Sequence, residues 1–200
     1  MKIAAIVLAA GMSRRMQHLN KMLYPPADPI LRRVVRHLPS DRLEEIVVVT
    51  GYQATDIKNL LADEGVRFIH NPKYETGMAS SLKIGIDRIG KPIDGALICL
   101  GDMPDLQRSD YEQVINAFTG QPAHVVQPSW QGRSGHPVLL SADLFLKFDA
   151  LADIDQGGRA IIEKIPTQNK VILAMSSSAC LRDYDSLDDF EAPSPSLAPT

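Results

Sequence analysis

The sequence predicts an α/β fold with a mostly parallel central sheet covered by helices on both faces. Two observations carry that expectation. Short runs rich in Ile, Val and Leu recur along the chain, and between them the apolar residues change to helical spacing. Strand and helix therefore alternate, as a parallel sheet requires when each connection crosses back over one of its faces.

The first run, residues 3–10, is apolar throughout and gives way at Gly11 to a small, bendable segment with Arg14, Arg15 and, after Asn20, Lys21. That order predicts a buried strand opening into an anion-binding loop. Residues 30–38 place apolar side chains at helical spacing behind Pro29, which a first helical turn tolerates. Residues 45–51 read as a second buried strand, 54–62 as a helix, and 66–69 as a short strand closed by Asn71 and Pro72. Gly77 opens a helix running towards Ile89, and residues 96–100 form an apolar strand ending in Gly101, Asp102, Met103 and Pro104.

A helix is expected from about Ser109, a good N-cap, to Phe118. Residues 124–127 resemble another strand, and 130–137 a polar, glycine-bearing loop before the apolar 138–140. A short helical pattern follows Gly157, Gly158 and Arg159, and residues 170–175 read as a strand. Residues 191–200, rich in Pro and Ser and without periodicity, are expected to be a disordered tail behind a single domain spanning 1–190. In such a fold a ligand lies beyond the carboxyl ends of the strands.

Composition narrows the function. Two hundred residues with 44% hydrophobic content suffice for one sizeable core. A net charge of −3 lacks the basic excess of a nucleic-acid binder, so local basic clusters must do any phosphate binding. The two cysteines, Cys99 and Cys180, are far apart and outside any CxxC spacing, which fits a reducing cytoplasm. The apolar start is short for a signal peptide and is followed at once by Arg14 and Arg15. No stretch approaches the ~20 apolar residues of a membrane span.

Two constellations carry chemistry. Gly11 lets backbone amides approach a phosphate, Ser13 offers a hydroxyl, Arg15 a planar fork and Lys21 a mobile charge. Asp102, at the end of an apolar strand, lies where a carboxylate can hold Mg²⁺ against nucleotide phosphates. Ser186, Asp188 and Asp189 are accounted for by an N-capped terminal helix with an acidic first turn. His136 is either a packed loop histidine or a substrate contact, and is placed on the substrate side; Trp130 either stacks on an acceptor ring or covers core.

The segment from Leu8 to Lys21 resembles the LAAGxSxRM…K signature of the nucleotidyltransferases related to the enzymes that finish molybdenum cofactor. Leu8, Ala9, Ala10, Gly11, Ser13, Arg15, Met16 and Lys21 stand on its positions. Walker A and GxGxxG patterns are absent. The resemblance implies a Rossmann-like three-layer α/β/α nucleotidyltransferase fold. Gly101-Asp102-Met103-Pro104 is similar to the family's metal motif, and Asp183 and Asp185 fall on its closing paired acids, one of which would join Asp102 on the metal. Leu187 replaces the usual proline there. Gly77, Ser80 and Ser81 lie in a segment similar to the nucleotide-facing GMSSSL of the cytidylyltransferase branch, residues 135–139 resemble GHPVLF, and 155–159 resemble GDxGAR.

What the resemblance implies is attack by an acceptor phosphate on the α-phosphorus of CTP, with Mg²⁺ as cofactor, a molybdopterin-type cofactor as acceptor and a molybdenum hydroxylase as recipient of the product. Arg15, Lys21 and Asp102 are the expected catalytic residues. The sequence departs from the family pattern at Gln17, where glycine is common, and over residues 21–29, which lack the usual Gly-Lys before Pro29. Transfer to a sugar or polyol phosphate, use of another nucleoside triphosphate, and a non-catalytic delivery protein are the alternatives.

Overall fold

Strand β1 (Ile3–Ala9) is buried along its whole length, which explains its unbroken apolar run: both faces of this strand are covered. The computed structural model describes residues 1–16, 19–121, 123–151 and 159–191. After β1 come α1 (Ile30–His37), β2 (Glu45–Thr50), α2 (Ala54–Leu60), β3 (Arg67–His70), α3 (Met78–Asp87), β4 (Gly95–Leu100) and α4 (Arg108–Gly120). The second half contains β5 (Val125–Trp130), β6 (Arg133–Ser134), β7 (Val138–Ser141), α5 (Arg159–Lys164), β8 (Lys170–Ala174) and the short α6 (Asp188–Glu191).

The eight strands form one sheet in the order β3-β2-β1-β4-β7-β5-β6, with β8 paired to β5. Strands β3, β2, β1 and β4 are mutually parallel, and β8 runs parallel to β5. The antiparallel pairs are β4 with β7, β7 with β5, and β5 with β6. The predicted mostly parallel α/β architecture is thus the observed one, with an antiparallel portion at one side.

Period-two alternation sorts β1 between two cores. Ile3, Ala5 and Val7 pack with Leu31 and Val34 of α1 and with Tyr111 and Ile115 of α4. Ile6 and Leu8 pack on the opposite face with Leu82 and Ile86 of α3. Gly85 of α3 permits that approach, since a Cβ there would lie 2.7 Å from Ile6.

Several element boundaries differ from expectation. Helix α4 begins at Arg108 and not Ser109, because Gln107 occupies the cap and its N–H donates to Asp110 at 2.8 Å. The expected loop 130–137 contains a hairpin: β5 extends through Trp130, and Gln131 (φ 49°) and Gly132 (φ 76°) turn the chain into β6. Two successive positive φ values suit the tight turns that connect antiparallel strands. Trp130 is partly buried and packs against the core. The tail residues 192–200, Gln17 and residues 155–158 of the GDxGAR-like segment lie outside the described residues. Among the described residues, no helix is long and apolar enough to cross a membrane.

Candidate active site

The loop after β1 is braced from within. Ser13 takes a left-handed backbone conformation (φ 50°), and its hydroxyl accepts from the Lys21 amide at 3.0 Å. The buried Asn20 caps the short turn Lys21–Leu23 by accepting from the Met22 amide at 3.0 Å. Two polar side chains thereby fix where Lys21 leaves the backbone. A Cβ built on Gly11 would meet no protein atom within 4 Å, so this glycine fronts open space and is not demanded by packing.

Lys21 then reaches across the carboxyl ends of β1 and β4. Its Nζ donates to Asp102 Oδ2 at 2.5 Å and to Asp185 Oδ1 at 2.7 Å. Arg15 donates to the other oxygen of Asp185. Asp102, Asp183 and Asp185 bring one carboxylate oxygen each to within 4.8 Å of one another. Backbone pairing supports the cluster, because the Tyr184 amide donates to the Asp102 carbonyl at 2.9 Å.

The three acids and the lysine perturb one another in different directions. Burial presses Lys21 to lose its proton, but the charge and hydrogen bonds of Asp102 and Asp185 outweigh this, and its pKa lies above the ordinary value. Asp183 is raised, by burial first and then by the like charges of Asp185 and Asp102. Burial also penalises ionised Asp185, yet the Lys21 hydrogen bond and the charges of Lys21 and Arg15 hold its pKa below the ordinary value. Adjacent carboxylates with opposite shifts are a mark of a functional cleft.

A cavity of about 660 Å³ opens over these groups. Leu8, Ala10, Gly11, Arg15, Lys21, Gly77, Ser81, Asp102, Asp183 and Asp185 line it. Ala9 is buried in the sheet, and the Ser13 hydroxyl is turned to Lys21 and Asn20. Ser80 is likewise used locally, donating to the Gly77 and Lys73 carbonyls and accepting from Asn71. Met78, the methionine of the GMSSSL-like segment, lines the same cavity, as does Tyr74, which no motif signalled. His136 lies on a second cavity of about 580 Å³ beside Gln127 and Lys170, and the two cavities share Leu8 and Met78. Burial lowers the His136 pKa, against the pull of Asp102.

Residues 5–171 match the family model of the MobA-like NTP transferase domain. The chain belongs to this family. The chain is 28% identical over 144 residues to the bifunctional protein GlmU of Syntrophomonas wolfei, an alignment covering 70% of this chain and 32% of that protein. It is 30% identical over 151 residues to GlmU of Gloeobacter violaceus, covering 71% and 32%. The chain thus spans about a third of the length of these curated relatives.

Solved structures share the fold of the MobA-like domain. A nucleotidyl transferase from Methanothermobacter thermautotroptrophicus superposes with a TM-score of 0.77 at 22% identity, covering 95% of this chain and 94% of that one. The 4-diphosphocytidyl-2C-methyl-D-erythritol synthase of Anaerococcus prevotii gives 0.77 at 15% identity, covering 95% and 93%. A Mycobacterium tuberculosis protein solved in complex with manganese gives 0.73 at 19% identity, covering 96% and 97%.

The donor set of the MobA-like site fits a hard divalent cation. Its ligand atoms are carboxylate oxygens, and Asp102 Oδ1 is buried with no hydrogen-bond partner. An orphaned carboxylate oxygen is costly unless something positive faces it.

Proposed function

We propose that this chain is a nucleotidyltransferase that moves CMP from CTP to the phosphate of a molybdopterin-type cofactor, giving the cytosine dinucleotide form and pyrophosphate. The observation that carries the reading is the convergence of Lys21, Arg15 and the carboxylates of Asp102, Asp183 and Asp185 on one cavity at the ends of β1 and β4.

In this reading the triphosphate lies along Gly11 and the loop that follows, and the open space beside Gly11 admits it. Lys21 and Arg15 exchange carboxylate for phosphate partners and hold the triphosphate in line with the acceptor. An acceptor phosphate oxygen forms a bond to the α-phosphorus, the bond from that phosphorus to the bridging β-oxygen breaks, and pyrophosphate carries away the electron pair. The nucleophile is already an anion, so no protein base is needed, and positioning with charge neutralisation supplies the rate. Asp102, with Asp183 or Asp185, would hold Mg²⁺, which neutralises charge developing on the phosphates. The second cavity, with His136 at its wall, is the place for the acceptor, since it adjoins the first through Leu8 and Met78.

CTP and the pterin acceptor are supported by the LAAG form of the loop and by the Gly77 to Leu82 segment. The departures between Gln17 and Pro29 favour keeping a second acceptor class, a sugar or polyol phosphate, in view. A single cytoplasmic domain handing its product to a molybdenum hydroxylase completes the reading. Pyrophosphate release measured with each of the four triphosphates, with and without molybdopterin, tests it. CTP and pterin dependence is the expected result; equal turnover of GTP, or indifference to the pterin, overturns the specific assignment.

A further inference from the structure

Asp105 lies three residues beyond Asp102 on the same loop, and its carboxylate is only 10% exposed. It is not one of the three acids that cluster. Both its oxygens accept from the Tyr184 hydroxyl, at 3.2 and 3.1 Å, and Arg182 Nε stands 3.3 Å from Oδ2. Arg33 approaches the other oxygen at 3.7 Å. The Arg182 guanidinium also covers the Tyr184 ring at 4.8 Å and donates to the Asp189 carbonyl at 2.9 Å.

Four consecutive residues are therefore divided between two anchors. Arg182 and Tyr184 go to Asp105, whereas Asp183 and Asp185 go to Asp102 and Lys21. Such alternation is the period-two pattern of extended chain, and the backbone at Arg182 is extended. Between the anchors, the Tyr184 amide is bonded to the Asp102 carbonyl.

We infer that Asp105 is a positioning residue for the cation site: by holding Arg182 and Tyr184, it turns Asp183 and Asp185 towards Asp102. Removing the clamp lets the segment rotate, and the three carboxylate oxygens no longer meet. The inference rests on the cation reading of the acid cluster, but not on the identity of the nucleotide or acceptor. Groups that orient metal ligands are commonly worth 10–100-fold in metal affinity.

The test is Mn²⁺ binding to the purified full chain without nucleotide, followed by the EPR signal of free Mn²⁺, with circular dichroism and thermal melting as controls of folding. Tyr184→Phe keeps the ring packing and removes only the hydroxyl that reaches Asp105, and should weaken Mn²⁺ binding about tenfold. Asp105→Ala should weaken it further, and Asp105→Asn, whose amide oxygen still accepts from Tyr184, should recover part of the loss. Should Asp105→Ala fail to fold, Tyr184→Phe and Asp105→Asn decide. Melting temperatures that fall while the folded variants bind Mn²⁺ as tightly as the unaltered chain overturn the inference alone. An unaltered chain that binds no Mn²⁺ overturns it together with the cation reading, and failure of CTP or pterin turnover touches neither result.

Discussion

The Lys21 ammonium sits 2.5 Å from Asp102 Oδ2, inside the carboxylate cluster that would hold a cation. Both side chains are largely buried, so each depends on the other for charge compensation. Lys21→Met removes the ion pair to Asp102 and leaves Asp185 only the one with Arg15. The chain should lose about 3 kcal/mol of stability, the usual cost of removing one partner of a buried pair. Added Mn²⁺ should restore more of the melting temperature in this variant than in the unaltered chain. Thermal unfolding with and without Mn²⁺ measures both effects.

Asp183 and Asp185 should respond to pH in opposite senses. The folded chain raises the Asp183 pKa, so the folded state holds that proton to higher pH than the unfolded state and stability falls as pH rises through the window above the ordinary aspartate value. For Asp185 the folded pKa is lowered, so its contribution is present above the ordinary value and is lost as pH falls through the folded one. At neutral pH without metal, Asp183→Asn should raise the melting temperature and Asp185→Asn should lower it. Melting curves across the acidic range should show the two variants converging on the unaltered chain once these acids are protonated.

Gly11→Ala and Gly135→Ala should separate binding from folding. A Cβ at Gly135 would lie 2.0 Å from the Cys180 carbonyl oxygen, which also accepts from the His136 amide at 2.9 Å. That substitution should cost about 1–3 kcal/mol in denaturant unfolding. A methyl at Gly11 meets no protein atom but projects where a triphosphate would approach. Stability should stay within about 0.5 kcal/mol, while CTP affinity measured by calorimetry falls.

Asp102→Asn distinguishes transfer from carriage. A transferase should lose metal-dependent pyrophosphate release by on the order of 10²-fold or more, as when a preorganised electrostatic group is removed from a reaction site. A delivery protein would transfer cofactor to its recipient enzyme unchanged. Single-turnover assays of pyrophosphate release, alongside transfer of preformed product to an apo-hydroxylase, tell the two apart.

Much of the parallel half could be read in advance because β1, β2 and β4 are buried on both faces and so appear as continuous apolar runs. The antiparallel portion gave weaker signals: β6 has two residues and β7 four, too few for a period to show. At the site, Lys21 and Asp102 were marked by the family motifs and do converge. Motifs could not separate Ser80 from Ser81. Adjacent residues on a helix point about 100° apart, and only Ser81 faces the cavity. Asp105 carried no signal either, since its partners lie far along the chain and the alternation that selects them exists only once residues 182–185 lie against the loop.

Strand β7 runs against β4, with Val138 paired to Ile98 near the end of β4 that carries Asp102. In a purely parallel sheet every segment delivered to that edge would trail its strand. Here the segment that leads into β7, Gly135-His136-Pro137, arrives there instead. Reversing one strand thus gives the cleft a rim built from both incoming and outgoing chain. Variation in the hairpin ahead of β7 can therefore reshape one flank of the cleft while the loops behind β1 and β4, which carry Lys21 and Asp102, stay as they are.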